Sequence, residues 1–126
     1  PEAVIMASLI EKEARDTGDK RIISGILWKR IKAEVLLQVD ATLWYVTGKA
    51  SHQLTEEELR LDSPYNTYRV LGLPPTAIAN PGLDSIEAAL FPEESPYWYY
   101  LHDKDGTPHY AATFDGHKLN KERYLR

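Results

Sequence analysis

Two stretches at the start of the chain space their apolar residues as amphipathic helices do. The first covers residues 1–15, where Pro1 suits the first turn of a helix. The second begins at Thr17-Gly18-Asp19, which ends one helix and starts the next. Its apolar stripe consists of Ile22, Ile23, Ile26, Leu27 and Ile31. This pattern predicts two helices packed as a hairpin.

An apolar run follows at residues 35–40, in which Gln38 and Asp40 are the polar positions. If the run is extended, these two side chains point to one side. The alternative is that Asp40 caps a short helix over residues 42–46, which Gly48 would end.

Residues 63–82 are too rich in Pro, Gly, Asn and Tyr for a helix or a central strand. A capping box of Thr55 and Glu58 predicts a helix through about Arg60 just before them. The aromatic and apolar residues of the stretch argue against disorder. We therefore predict an ordered loop, of the kind that builds a wall of a binding cleft.

The remaining pattern predicts a β-hairpin between two helices, since Asp105-Gly106 is a strong turn signal. The predicted elements are a helix at 86–90, strands at 97–101 and 109–113, and a charged helix at 116–126. Without an internal repeat or linker, the pattern is that of one α+β domain over residues 1–126.

Composition narrows the possible partners. A net charge of −4 and a pI near 5.5 provide no general attraction to nucleic acid or to an anionic membrane surface. The chain contains no cysteine, which excludes disulfides and thiolate sites. The longest apolar runs fall far below the roughly 20 residues that span a bilayer. Because the chain starts with Pro1 inside a predicted helix, we expect it to be a piece of a longer protein.

The first helix carries the most informative polar residues. On a helical wheel, Glu11 and Glu13 fall among apolar side chains. Burial raises a carboxyl pKa, which lets a glutamate act as a general acid near neutral pH. The alternative is that both border the apolar face and form ion pairs with Lys12, Arg15 or a neighbouring helix. Periodicity does not choose between the two glutamates.

Tyr65, Asn66 and Tyr68 combine flat apolar faces with polar tips, which suits binding of sugar rings or aromatic ligands. Packing within the loop, with Asn66 in an Asx-turn, is the alternative.

No metal site or cofactor site is expected. Residues 103–106 resemble the start of a calcium loop but lack its later glutamate, so a hairpin turn is favoured. His102, His109 and His117 do not have a recognised zinc spacing. His109 and His117 are instead interpreted as polar contacts.

Five motifs, in this order, resemble those of the YceG-like (MltG) endolytic murein transglycosylases. They are Ala7-Ser8-Leu9-Ile10-Glu11-Lys12-Glu13, Leu37-Gln38-Val39-Asp40, Ser63-Pro64-Tyr65-Asn66-Thr67-Tyr68, Gly72-Leu73-Pro74-Pro75 and Ile78-Ala79-Asn80-Pro81-Gly82. The resemblance covers essentially the whole chain. It implies the catalytic domain of that family, with a lysozyme-like cleft.

The resemblance also implies a reaction and a site. The family cleaves the β-1,4 bond between N-acetylmuramic acid and N-acetylglucosamine, leaves a 1,6-anhydro end, and so terminates nascent glycan strands. Its catalytic glutamate aligns with Glu13. The residues expected to bind the sugars or orient Glu13 are Glu11, Gln38, Asp40, Tyr65, Asn66, Tyr68 and Asn80.

The same resemblance implies which partners the protein has and where in the cell it acts. Peptidoglycan glycan strands are the expected partner, with cell-wall synthases beside them. A membrane anchor upstream of Pro1 would place the enzyme at the outer face of the inner membrane of a bacterial envelope. The alternatives are a glycan-binding module without activity and a helical protein-interaction domain.

Overall fold

The computed structural model describes residues 1–125 and has the predicted α+β fold. Within these residues the elements are α1 (Glu2–Glu13), α2 (Thr17–Lys32), α3 (Asp40–Thr47), two 3-10 turns (Ser51–Gln53 and Glu58–Arg60), α4 (Leu83–Leu90), β1 (Tyr99–His102), β2 (Pro108–Ala111) and α5 (Phe114–Tyr124). Every helix of this part of the chain is too short or insufficiently apolar to cross a bilayer.

The core lies where α1 packs against α2 and α4. Residues 6–10 of α1 are all buried. They meet Ile23 and Leu27 of α2 and Ala88 and Ala89 of α4. Because two neighbours hold α1, its C-terminal end has a fixed place in the fold.

α1 ends at Glu13, two residues before the end predicted from the sequence. Ala14 is already extended, with φ −149° and ψ 153°. Asp16 is the N-cap of α2 and accepts a hydrogen bond from the N–H of Asp19 at 3.2 Å. Since an N-cap residue has a non-helical backbone, the chain must leave α1 before Asp16. The earlier end places Glu13 in the last turn of α1.

The segment before α3 differs from both predicted alternatives. Gln38 has a left-handed φ of 53°, so the segment is not a regular extended run. Asp40 is the first residue of α3, and Val39 is its N-cap. The backbone N–H groups of Gln38 and Val39 donate to the carbonyl and the hydroxyl of Thr67, at 3.1 and 2.9 Å. These bonds fasten the segment to the loop and leave the Asp40 side chain available for other contacts.

Residues 63–82 form the predicted loop, which contains no helix or strand. Asn66 and Thr67 are buried, and Ile78 joins the core. The N–H of Ile78 donates to Oγ of Ser8 on α1 at 3.1 Å. The loop is therefore anchored to the first helix at one point and to the segment before α3 at another.

The capping box before the loop is present but starts only a 3-10 turn. The N–H of Glu58 donates to Oγ1 of Thr55, and the N–H of Thr55 donates to Oε1 of Glu58, both at 3.1 Å. The turn stops at Arg60 because the side-chain amide of Asn66 binds the carbonyls of Leu59 and Leu61.

β1 and β2 pair antiparallel from Tyr99 opposite Ala111 to His102 opposite Pro108. They are shifted from the predicted 97–101 and 109–113 because the Asp103 carboxylate closes the turn, accepting the N–H groups of Asp105 and Thr107.

α5 packs on both strands and starts at Phe114 instead of residue 116. Thr113 is its N-cap and accepts the N–H of Gly116 at 3.1 Å. Arg126, the last residue of the predicted helix, lies outside the described residues.

Candidate active site

A cleft of about 630 Å³ opens beside the C-terminal end of α1, with β1 and α5 among its walls. We call it the main cleft. It is lined by Glu13, Arg30, Leu37, Gln38, Asp40, Ser51, His52, Tyr68, Tyr99, Tyr100, Leu101, His102, Phe114, His117, Lys121 and Leu125. Four of the residues predicted from the sequence meet there, namely Glu13, Gln38, Asp40 and Tyr68.

Glu13 is half-buried at this cleft, where the hydroxyl of Tyr100 donates to its Oε1 at 2.5 Å. Burial raises the pKa of Glu13 to about 7. The hydrogen bond from Tyr100 opposes that rise, and the negative charge of Asp40 adds to it. The carboxyl therefore keeps its proton close to neutral pH and can donate it to a bound molecule.

Asp40 and Tyr68 form a second polar group in the main cleft. The hydroxyls of Tyr68 and Ser51 both donate to the Asp40 carboxylate. Burial and the neighbouring Asp40 charge raise the pKa of Tyr68, so its hydroxyl stays a donor. Asp40 and Glu13 line the same cleft, so one ligand bound there can contact both carboxyl groups.

One wall of the main cleft is an aromatic stack that the sequence did not predict. The rings of Tyr99 and His117 stack with centroids 5.0 Å apart and planes at 21°. The guanidinium of Arg30 lies 5.0 Å from the Tyr99 centroid, and its Nε donates to the carbonyl of Trp98 at 2.8 Å. The Tyr-rich strand was visible in the sequence, but nothing local indicated that α5 would cover it.

Glu11 lies outside the main cleft. Its Oε1 accepts the N–H of Gly82 and the hydroxyl of Ser85, both at 2.8 Å, and lies 3.9 Å from Nζ of Lys20. The bonds from Gly82 and Ser85 lower the pKa of Glu11, although its partial burial acts in the opposite direction. Glu11 thus ties α1 to the end of the loop and the start of α4.

Glu11 also borders a smaller cavity of about 300 Å³, which we call the side pocket. Its lining residues are Glu11, Lys12, Glu13, Ala14, Arg15, His102 and Gly106.

Three further predicted residues do not line either cavity. Asn66 is fully buried, and its amide binds two backbone carbonyls while its Oδ1 accepts the N–H of Tyr68. Tyr65 packs its ring on Tyr45 at 5.1 Å and bonds the hydroxyl of Thr76 at 2.9 Å. Asn80 is exposed on the loop. The structure therefore corrects the expectation of a direct sugar contact for Asn66, whose side chain has no free surface.

The histidines occupy separate places. His109 pairs with the Asp103 carboxylate at 2.8 Å and stacks on Tyr124. His102 and His117 line the main cleft. Among residues 1–125, no group of three His, Cys, Asp or Glu side chains is arranged to hold a metal ion. The chemistry available in the cleft is that of a protonated carboxyl among aromatic faces and hydroxyl donors.

Comparison with known proteins gives one consistent result. The sequence matches the YceG-like family over residues 1–123. It is 41% identical over 120 residues to the endolytic murein transglycosylase of Bacillus subtilis, covering 95% of this chain and 33% of that protein. It is 32% identical over 130 residues to the endolytic murein transglycosylase of Streptococcus pneumoniae, covering 98% of this chain and 24% of that protein.

A solved structure of a yceG-like protein from Listeria monocytogenes superposes with a TM-score of 0.84 at 41% identity. The match covers 90% of this chain and 38% of that one. The chain thus spans a quarter to a third of the length of these two curated relatives.

Proposed function

The chain belongs to the YceG-like family, and we propose that it is an endolytic murein transglycosylase that cleaves the glycan strands of peptidoglycan. Two of its relatives carry that activity in their names. The observation that carries the proposal is Glu13, a carboxyl with a pKa raised to about 7 in a cleft lined by aromatic rings. A module that only binds glycan has no use for such a carboxyl.

In the proposed reaction, protonated Glu13 first donates its proton to the oxygen that links N-acetylmuramic acid to N-acetylglucosamine. The bond between that oxygen and the anomeric carbon of the muramic acid breaks, and positive charge develops on the sugar ring. The 6-hydroxyl of the same muramic acid then attacks the anomeric carbon, and the Glu13 carboxylate accepts its proton. The products are a free 4-hydroxyl and a 1,6-anhydro end, and Glu13 is protonated again.

One carboxyl is sufficient for this sequence because the acid of the first step becomes the base of the second. The acetamido oxygen of the substrate shares the developing positive charge, so a second carboxylate nucleophile is not required. A pKa near the working pH suits a group that must both lose and regain a proton.

Within the main cleft, Gln38, Asp40 and Tyr68 are proposed to orient the sugars around Glu13. Asp40 and the Tyr68 hydroxyl already form a hydrogen-bonded pair, and Gln38 is exposed on the same wall. Glu11 and Asn66 are proposed to act indirectly, by fixing the loop.

The cellular location of the reaction is inferred from the family alone. We propose that the activity terminates nascent glycan strands at the outer face of the bacterial inner membrane, beside the cell-wall synthases.

Replacement of Glu13 by Gln in the full-length protein tests the function directly. Digests of purified peptidoglycan should contain 1,6-anhydromuropeptides by mass spectrometry with the wild-type protein and none with Glu13→Gln, because glutamine has no proton to donate. Glu11→Gln is the matched control and should keep most of the activity, because the glutamine oxygen still accepts the N–H of Gly82 and the hydroxyl of Ser85 and so holds the loop in place. Anhydro products from Glu13→Gln at the wild-type rate would show that Glu13 is not the catalytic acid. Products with a free reducing end instead of a 1,6-anhydro end from the wild-type protein would show that the enzyme is a hydrolase and not a lyase.

A further inference from the structure

The wall of the main cleft that β1 and α5 form carries two positive charges. Phe114, His117 and Lys121 are three and four residues apart on α5, so they share one face of this helix, and all three line the cleft. Tyr99 of β1 and Arg30 of α2 complete the wall. We call these five residues the basic wall. Neither the five sequence motifs nor the proposed reaction gives it a role.

The positive charge of Arg30 has no carboxylate beside it among the described residues. The residue is almost entirely buried, at 6% exposure. Its Nε donates to the carbonyl of Trp98 at 2.8 Å and its Nη1 to the carbonyl of Leu36 at 2.7 Å, and both acceptors are neutral. No ion pair within residues 1–125 includes Arg30. Since a buried charge is normally paired, a buried cation that lines a cleft is suited to a negative group of a ligand.

Lys121 adds a second, exposed cation to the same wall. It also forms no ion pair with a carboxylate of residues 1–125. Of the described residues that line the cleft, the acidic ones are Glu13 and Asp40, and these bond tyrosine and serine hydroxyls. The protein as a whole has a net charge of −4, so two unpaired cations on one wall are a local feature and do not follow from composition.

The other surface of the basic wall is aromatic. Phe114 is 54% exposed, and its ring centroid lies 5.8 Å from that of Tyr99. The Tyr99 ring stacks on His117 and has the Arg30 guanidinium 5.0 Å from its centroid. Open aromatic faces suit the apolar face of a sugar ring. The wall therefore offers a surface for a sugar and, next to it, positive charge for an acid.

The two sugars of peptidoglycan differ in such an acid. N-acetylmuramic acid carries a lactic acid group as an ether, whereas N-acetylglucosamine has only a hydroxyl at that position. The lactyl carboxyl is either free or joined to a short peptide, which has carboxylates of its own. Arginine and lysine both pair with carboxylates through charge-assisted hydrogen bonds.

We propose that the basic wall is a specificity site that recognises N-acetylmuramic acid, with Arg30 and Lys121 pairing with a carboxylate of its lactyl or peptide substituent. The proposal rests on the proposed function for the choice of substrate. It gives the wall a part in binding and none in bond cleavage.

Binding of three disaccharides tests the proposal without turnover, because none of them contains the bond that the enzyme is proposed to cleave. The first is N-acetylglucosaminyl-N-acetylmuramic acid with its peptide, the second is the same disaccharide with a free lactyl carboxyl, and the third is N,N′-diacetylchitobiose, which has no acid. The measurement is a titration of the carbon-13 signals of the His117 ring in the full-length protein at pH 7. These signals report on the basic wall itself.

Three substitutions separate the charge of the wall from other effects. Lys121→Gln removes the charge and Lys121→Arg keeps it. Arg123→Gln is the matched control, because Arg123 lies in the same last turn of α5 and lines neither cavity. Arg30 is left in place because it also binds two backbone carbonyls. Circular dichroism verifies that each variant is folded.

Lys121→Gln should raise the Kd of an acidic disaccharide on the order of 5-fold, the size expected for a partly exposed ion pair, and leave that of diacetylchitobiose unchanged. Lys121→Arg and Arg123→Gln should bind all three as the wild type does. A loss confined to the free lactyl form identifies the lactyl carboxylate as the partner, and a loss confined to the peptide form identifies the peptide carboxylates. A loss for both shows that either can pair with the wall.

Wild-type affinity of Lys121→Gln for both acidic disaccharides would overturn the proposal. An equal loss for diacetylchitobiose, or an equal loss in Arg123→Gln, would do the same, because the effect would then not come from the charge of the wall.

Turnover separates this proposal from the proposed function. With peptidoglycan strands as substrate, Lys121→Gln should raise KM by a similar factor and leave kcat little changed, because the ion pair is made equally in the ground state and the transition state. An unchanged KM would contradict the role of the wall. A wild-type protein that releases no anhydro products would refute the proposed function and leave the disaccharide result standing.

Discussion

The hydroxyl of Tyr100 donates a 2.5 Å hydrogen bond to Oε1 of Glu13, joining two residues that are 87 positions apart in the chain. This contact stabilises the charged form of Glu13, while burial favours the neutral form more strongly. The balance leaves the carboxyl half-ionised near neutral pH. A single substitution at Tyr100 or at Asp40 should therefore shift the Glu13 pKa.

Tyr100→Phe removes the hydroxyl and keeps the ring. Since the hydrogen bond lowers the Glu13 pKa, its loss should raise that pKa above about 7. The proposed mechanism requires protonated Glu13 in its first step, so activity should fall as pH rises through this pKa. The basic limb of the profile of kcat/KM against pH should therefore move to higher pH. A limb that stays in place would show that Tyr100 does not act on the ionisation of Glu13.

Asp40→Asn should move the same limb in the opposite direction. The negative charge of Asp40 raises the Glu13 pKa, and the neutral amide removes that effect while still accepting the hydroxyl of Tyr68. The limb should appear at lower pH, with kcat/KM at pH 5 close to that of the wild type. Comparison of the two profiles in one buffer series checks the prediction, and a shift to higher pH in Asp40→Asn contradicts it.

Glu13→Gln should stabilise the protein at alkaline pH. In the folded state the Glu13 pKa is about 7, against 4.5 for the free group. Between these values the folded state holds one more proton than the unfolded state, so the free energy of unfolding falls as pH rises. Above pH 7 the loss approaches on the order of 3 kcal/mol, which glutamine avoids because it does not ionise. Urea denaturation should give a higher midpoint for the variant at pH 8 and equal midpoints near pH 4.

Glu11→Gln is the control for that experiment, because its expected effect has the opposite sign. Hydrogen bonds from Gly82 and Ser85 lower the Glu11 pKa, so the charged form stabilises the fold above the unfolded pKa. The variant should be less stable than the wild type at pH 8, and the difference should shrink as pH falls. Stabilisation by both substitutions at pH 8 would show that a general charge effect is responsible.

Local patterns predicted most of the helices and the hairpin because caps, turns and apolar spacing act over a few residues. They did not decide between Glu11 and Glu13, since both border the apolar face of α1. The difference between them comes from distant partners, Tyr100 for Glu13 and Gly82 for Glu11. Only the resemblance to a family pointed to Glu13 in advance.

The loop at residues 63–82 also shows what local sequence does not predict. Its composition predicted an ordered loop that forms a wall of a binding cleft, but not which of its side chains face that cleft. Tyr68 does so, whereas Tyr65 packs on Tyr45 and Asn66 turns inward. An Asx-turn was the alternative interpretation of Asn66, and its bond from the N–H of Tyr68 has that form.

Asn66→Ala should therefore act on stability and on the cleft together. The substitution leaves the half-buried carbonyls of Leu59 and Leu61 and the N–H of Tyr68 without their partner. Unpaired buried polar groups cost about 1–3 kcal/mol each, and because these three are only half-buried the lower end applies, so a loss of roughly 3 kcal/mol in the free energy of unfolding is expected. Because Tyr68 loses the bond that orients its backbone, KM for glycan should rise as well. Asn80→Ala, on an exposed part of the same loop, is the matched control for stability and should leave the free energy of unfolding unchanged. Equal stability of the two variants would contradict the framework role of Asn66, and a sugar-contact role would instead raise KM without lowering the denaturation midpoint.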